Sequence, residues 1–190
     1  MRLTTPRIPP LSDEEYSAEL QAMTEFPPGS RGLNLVKTIA RVPDVAPLFL
    51  SYSRHFLSTA NSLPAREREL LIVRIGHLCQ CAYEQGQHVE FALKAGLTPD
   101  ELQRAAHGAQ AGWGDSDAAL IRAADDIVAD QFISDAVWQA LARTFDQRQL
   151  MDLVMTAAQY VQLATILNTF GVQLEPGVDT DAVSLSQQIG

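Results

Sequence analysis

The stretch from Arg66 to Gly96 constrains this chain more than any other, because it reads as two helices with reactive side chains gathered around their join. Pro64 suits the first position of the leading helix, where its missing N–H would have no partner in any case, and that helix should run to about Leu78. The second covers Tyr83 to Lys94 and stops at Gly96, which suits a left-handed cap. Residues 79–82 either carry the first helix on or break and restart it. The same stretch holds both cysteines of the protein, two of its four histidines, and Glu67, Glu69, Glu84 and Glu90. At about 100° per helical residue, Cys81, Glu84 and His88 share one narrow face. A nucleophile, an acid and a base are stacked there. The apolar pattern of Leu70, Leu71 and Val73 would pack Glu69, one helical segment earlier, against them. These four residues form the expected site.

Further helices are signalled along the rest of the chain. Ser12 with Glu15 three residues later is a capping-box pair for a helix through about Glu25, stopped by Pro27, Pro28 and Gly29. Asn34 opens a short helix, and 43–60 is another, with Val45, Leu48, Phe49, Tyr52, Phe56 and Leu57 on a side expected to pack in the core. Thr98-Pro99-Asp100-Glu101 supplies an N-cap, a first-turn proline and a capping glutamate for a helix to about Ala111. The turn at Gly112-Trp113-Gly114 follows no strand and lacks a third glycine, so it is no dinucleotide fingerprint. Segments 116–130 and 134–143 open on capping Ser116 and Ser134, and 146–170 is the longest apolar helix. Residues 1–11 carry Pro6, Pro9 and Pro10 and read as an arm lying on the surface or on a neighbouring subunit. No segment alternates as a strand would over more than a few residues, so the class is all-α.

With 190 residues, 46% of them apolar and 19% charged, the chain is long enough for one domain with extensions. That organisation is an N-terminal arm and helices over 1–44, a core over 45–130, helices of the same domain over 131–175 and a polar tail over 176–190. Lys and Arg number 14 against 23 Asp and Glu, a net charge of -9 that disfavours a nucleic-acid partner. No run of 18 apolar residues and no apolar signal core is present, so a soluble, cytoplasmic protein with no membrane partner is expected. Cysteines two positions apart cannot staple a fold, and are either free thiols or participants in chemistry.

Each candidate has a plainer reading beside the chemical one. Cys81 as a buried, inert thiol competes with Cys81 activated by a helix start near Ala82. Cys79 and Cys81 lie roughly 200° apart in a regular helix, so a redox couple between them needs a break at 79–82, and core packing is the default for Cys79. His88 is the strongest candidate, because Glu84 four residues earlier can orient its ring and tune it for proton transfer. Glu69 belongs to the run Arg66-Glu67-Arg68-Glu69, and charge runs are commonly solvated faces. A metal site from His77, Cys79, Cys81, Glu84 and His88 lacks the closed four-ligand spacing, so neither metal nor cofactor is expected. His55 and His107 stand apart and read as structural.

At these residues the chain resembles the carboxymuconolactone decarboxylase superfamily, which includes alkylhydroperoxidase D and its relatives, over about residues 45–125. The resemblance is carried by Glu69, Cys81, Glu84, His88 and the following Ala95-Gly96-Leu97-Thr98. In the peroxidase branch a glutamate precedes the first cysteine of Cys-x-x-Cys by twelve residues, and a histidine follows the second cysteine by four. Glu69, Cys81 and His88 keep these spacings, while Glu84 takes the place of the second cysteine. The resemblance implies an alkylhydroperoxidase D-like helical bundle built on a helical hairpin, assembling as a homo-oligomer (dimer, trimer or hexamer) with sites near subunit interfaces.

The decarboxylase branch has a glutamate four residues before the histidine and requires no cysteine. It implies a cofactor-independent lyase or isomerase acting on a small carboxylated lactone or oxo-acid. His88 would be the general acid/base, Glu84 would orient it, Glu69 would complete the relay, Cys81 would line the pocket or share in the relay, and Tyr83 would line the pocket. The peroxidase branch implies instead a thiol peroxidase or disulfide reductase with Cys81 attacking and Cys79 resolving. A third expectation is a non-catalytic helical oligomer that binds a small ligand in the same pocket.

Overall fold

Apolar residues crowd positions 70–75 so densely that the segment has no face left for solvent, and Leu70, Leu71, Ile72 and Ile75 are all fully buried. The computed structural model describes residues 1–25 and 32–178, and among them no strand occurs. The helices are α1 (Ala18–Met23), α2 (Asn34–Ile39), α3 (Ala46–His55), α4 (Ala65–Leu78), α5 (Ala82–Lys94), α6 (Pro99–His107), α7 (Asp115–Asp130), α8 (Asp135–Leu141) and α9 (Gln147–Phe170). α4 is the axis: α5, α6, α7 and α9 all pack on it. A helix whose middle turns are apolar all round can be satisfied only in such a central position. The main core extends from Leu63 to Val172, and a smaller cluster of Leu11, Tyr16, Val36, Ala40 and Leu50 joins the N-terminal segment to α2 and α3. By length and hydropathy α9 could cross a membrane (mean hydropathy 1.3), yet 56% of that window is buried inside the fold.

Local hydrogen bonds explain where helices begin and end. At α6 the capping box is complete, with Thr98 Oγ1 accepting the Glu101 N–H at 3.2 Å and Glu101 Oε2 accepting the Thr98 N–H at 2.8 Å. Asp146 and Gln149 form the same reciprocal pair at the start of α9. Gly96 ends α5 in the left-handed region (φ 102°), as a glycine does without steric cost.

Other boundaries differ from the sequence reading. Ser12 and Glu15 make both capping bonds, at 3.1 and 2.8 Å, but the turn they close is not continued, because Ser17 adopts ψ 163° and caps α1 afresh. The expected stop at Pro27, Pro28 and Gly29 lies outside the described residues, as does the tail beyond Val178. Pro64 is the N-cap of α4, its carbonyl accepting the Arg68 N–H at 3.0 Å. α6 ends at His107, short of Ala111, where Gly108 turns to φ 88°. Gly114, not Ser116, caps α7. Ser134 does cap α8 in position, but its hydroxyl donates to Asp126 at 2.8 Å. The largest departure is α3, shorter than 43–60, whose Val45, Leu48 and Tyr52 face outward with Leu48 74% exposed. Periodicity marks an apolar stripe without saying what covers it.

The N-terminal arm lies on the body of its own chain. Arg7 and Ile8 donate backbone N–H groups to the Phe170 carbonyl at 2.8 and 3.2 Å, and Arg41 holds the Pro9 carbonyl at 2.6 Å. Arg74 binds the α6 end to α4 and α7: its Nε donates to Asp125 at 2.7 Å, and its Nη1 to the Ala105 and Ala106 carbonyls at 2.9 Å each. Arg74→Met would leave those buried carbonyls unpaired, and a loss of about 2–3 kcal/mol is expected in chemical denaturation. A loss below about 0.5 kcal/mol would show that water replaces the guanidinium there.

Candidate functional site

The join between α4 and α5 is a break. Cys79 closes α4, Gln80 takes φ 50°, and Cys81 is the extended N-cap of α5. The Cys81 N–H reaches back to the Gly76 carbonyl at 2.9 Å and the Gln80 N–H to His77 at 3.0 Å, the paired bonds of a Schellman ending. The Cys79 carbonyl accepts from Asn168 Nδ2 at 2.9 Å and from Arg2 Nη2 at 3.2 Å. Cys81 therefore precedes the helix that carries Glu84 and His88 instead of sharing its face. Both cysteines are free thiols, Cys81 buried and Cys79 half-buried. The expected activation of Cys81 is reversed: burial and the nearby Glu84 carboxylate push its thiol up to about 12, outweighing the backbone amides of Glu84 and Tyr83. Burial raises Cys79 as well.

Glu84 and His88 do share one face of α5, and α4 brings Glu69 to the same place. Glu69 is only 2% exposed, so the end of its charge run is no solvated face. Its Oε2 lies 2.8 Å from His88 Nδ1, while Glu84 Oε2 lies 3.4 Å from His88 Nε2. The imidazole is thus held between two buried carboxylates. Burial pushes His88 down, but the Glu69 hydrogen bond and both carboxylate charges outweigh it and hold the ring above its ordinary value. Glu84 is raised to about 7 by burial, with His88 pulling down and Glu69 pushing up. A carboxyl with that value exchanges protons readily at neutral pH. Arg68 Nε stands 3.8 Å from Glu69 Oε1 on the side away from His88's hydrogen bond, and makes no hydrogen bond itself.

Glu84 and His88 border a cavity of about 250 Å³ enclosed by α2, α3, α5 and α9. Glu69 and Cys81 are not among its lining residues; Tyr83 is. Tyr160 of α9 sets its ring edge against His88, with centroids 5.0 Å apart and planes at 88°, and Phe91 flanks the imidazole at 5.5 Å. Burial and the two carboxylates keep the Tyr160 phenol firmly protonated. Tyr160 was legible only as one more apolar residue of a core helix. Behind the wall, Glu175 accepts from Tyr83 Oη at 2.8 Å, from the Asn34 N–H at 2.7 Å, and from Gln87 Nε2. Residues 172–178 so strap α5 to α2.

A larger, more open hollow of about 510 Å³ lies between Met1, Arg74, His77 and Gln85, but the Arg74 donors are already taken there. Among the described residues, no group of three His, Cys, Asp or Glu side chains is placed to hold a metal ion. His55 pairs with Asp152 at 3.3 Å, and Ser62 Oγ donates to the same carboxylate at 2.6 Å. That cluster ties residues 55 and 62 to α9.

The sequence pattern of the carboxymuconolactone decarboxylase family matches residues 43–126. The structure of the debrominase Bmp8 is 16% identical with a TM-score of 0.68, covering 95% of this chain and 96% of that one. A cysteine-to-alanine variant of that debrominase, in complex with 2,3,4-tribromopyrrole, is 15% identical with a TM-score of 0.71 and covers 97% of each chain. A peroxidase-related protein from Silicibacter sp. TM1040 is 16% identical with a TM-score of 0.69 over 93% of each chain. None of the curated proteins matches in sequence. At these identities the structures speak for the fold alone, and the family's sequence pattern matches the segment 43–126, which carries the helical pair with Glu69, Glu84 and His88.

Proposed function

We propose that the chain is an enzyme of acid–base chemistry, moving a proton to or from carbon on a small organic substrate held beside Glu84 and His88. The observation that carries this reading is a buried carboxyl, raised to about 7, bordering a cavity and 3.4 Å from an imidazole that is itself held by a second carboxylate. The distances favour an exchange of the roles expected from the family. Glu69, behind the cavity and at hydrogen-bond distance from Nδ1, anchors the imidazolium. Glu84, in the cavity wall, is the group that gives and takes the proton. When Glu84 donates, the new carboxylate is stabilised by the imidazolium beside it, and the substrate's carbanion or enolate receives the proton as a C–H bond. In reverse, the carboxylate removes a C–H proton and the electron pair moves into an adjacent carbonyl.

The debrominase relative in complex with 2,3,4-tribromopyrrole supports a ring-sized ligand, which a cavity of about 250 Å³ accommodates. One observation favours the thiol reading: the break at Gln80 is what a Cys79–Cys81 couple requires. Against it, both thiols are held protonated, whereas attack on a peroxide needs a thiolate. The non-catalytic reading would gain weight from an exposed Glu84 and His88 with ordinary pKa values; both are buried and shifted. The test is a titration of the native chain with isotope-labelled side chains. Glu84 is expected to titrate near 7 and His88 to keep its proton above its ordinary range. A Glu84 midpoint in the ordinary carboxylate range would remove the proton donor and with it this reading.

A further inference from the structure

We infer that the cavity takes an uncharged, flat, largely apolar ring compound with a carbonyl-type acceptor, and that the reaction is an isomerisation by proton transfer, not a decarboxylation. This deepens the acid–base reading of Glu84 and His88 and rests on it.

The walls are apolar over most of their extent, formed by Leu35, Val36, Phe49, Leu50, Phe91 and Leu163. Apart from the His88 imidazole, the charged groups around Glu84 are carboxylates. Glu84 lines the cavity, Glu69 lies behind His88, and Glu175 lies behind Tyr83 and Gln87. A carboxylate substrate would need a cation or a set of free donors there. Among the described residues, Arg54 is the one Lys or Arg that lines the cavity, and its guanidinium is already engaged by the Glu25 carboxylate and the Thr24 carbonyl. Arg68 lies next to Glu69 and does not reach the lining. His88 has a carboxylate at each ring nitrogen, 2.8 Å from Nδ1 and 3.4 Å from Nε2. An entering anion would therefore lose its water and meet the Glu84 carboxylate with no unengaged Lys or Arg among the described lining residues.

Flatness follows from the ring geometry. Tyr160 stands edge-on to His88, and Phe91 lies 5.5 Å from the imidazole with its ring tilted by 53°. Such a frame favours a planar guest that offers either a face or an edge to each ring. Decarboxylation starts from a carboxylate, whose C–C bond breaks to release carbon dioxide, so it requires the anion that this cavity is built against. Isomerisation needs none. The Glu84 carboxylate takes a proton from a carbon next to the carbonyl, the electron pair passes into the enolate, and the same proton returns to a different carbon. Nothing is oxidised or reduced.

The experiment titrates the full chain with 3-cyclohexen-1-one, 2-cyclohexen-1-one and 1-cyclohexene-1-carboxylate above the Glu84 midpoint, following the His88 ring signals and saturation transfer to each ligand. The ketones are expected to shift His88 and to bind at least about tenfold more tightly than the carboxylate. In Glu84→Gln that gap is expected to shrink, and in Leu57→Lys, which places an unpaired cation at the exposed rim, the carboxylate alone is expected to gain affinity. Leu57→Lys serves on its own if Glu84→Gln does not fold. A carboxylate that binds wild type as tightly as the ketones overturns the inference, as does an absence of ketone binding at His88. The titration of ligand-free Glu84 and His88 stands apart from both outcomes and judges the acid–base reading by itself.

Discussion

Replacing Glu69 with alanine is expected to cost the chain about 3–5 kcal/mol of stability, the range for breaking a buried ion pair by removing one partner. Glu69 is the closer of the two carboxylates on His88, at 2.8 Å, and it also faces Arg68. Without it, the buried imidazolium keeps only the more distant Glu84 carboxylate, at 3.4 Å, and the partly buried Arg68 guanidinium loses its neighbouring carboxylate. The protein can soften that loss only by giving up the His88 proton, since burial already pushes the ring down once its main carboxylate partner is gone. Urea denaturation should show the drop in midpoint, and a proton titration should show His88 falling toward or below its ordinary value. A variant within about 1 kcal/mol of wild type would mean that water already solvates the pair.

Glu84→Gln is expected to lower turnover by about 10² to 10⁴, the span that one positioned proton transfer supplies. The same substitution should also change how stability depends on pH. Folded Glu84 titrates at about 7 against a reference of 4.5, so the folded chain holds a proton that the unfolded chain has released. The stabilisation this represents is complete below about 4.5 and is lost as pH rises through about 7, amounting to up to about 3 kcal/mol. His88, also raised, loses its contribution in the same direction as pH rises through its folded value. Wild type should accordingly weaken from about pH 4.5 to about pH 7, and Glu84→Gln should weaken less across that interval. Wild-type midpoints that hold level or climb across that interval would refute a protonated Glu84 in the resting fold.

What could be read from sequence was what local bonds enforce. The Thr98–Glu101 box, the Gly96 cap and the Glu84–His88 pair each depend on residues three or four positions apart, and each has the expected partners. Where distant segments decide, periodicity was silent. Tyr160 and Glu175 reach the site only because α9 and the strand of chain after it fold back across α5. Glu69 could not be separated from its charged neighbours, since a helix buried on every side has no apolar face to orient it. The same ambiguity misled the reading of α3, where Val45, Leu48, Tyr52 and Leu57 are exposed while Phe56 is buried and Phe49 packs against the core. Cys81 shows a different limit: a helix start favours a thiolate, but complete burial beside a carboxylate is the larger effect.

Residues 172–178 have a bearing on the order in which this molecule becomes competent. They leave the ribosome after every helix they clasp, so α2 and α5 exist as neighbours before Glu175 arrives to lace Tyr83, Gln87 and the Asn34 amide together. A nascent chain can thus hold Glu84 and His88 on α5 while the wall behind Tyr83 and Gln87 is still unfastened.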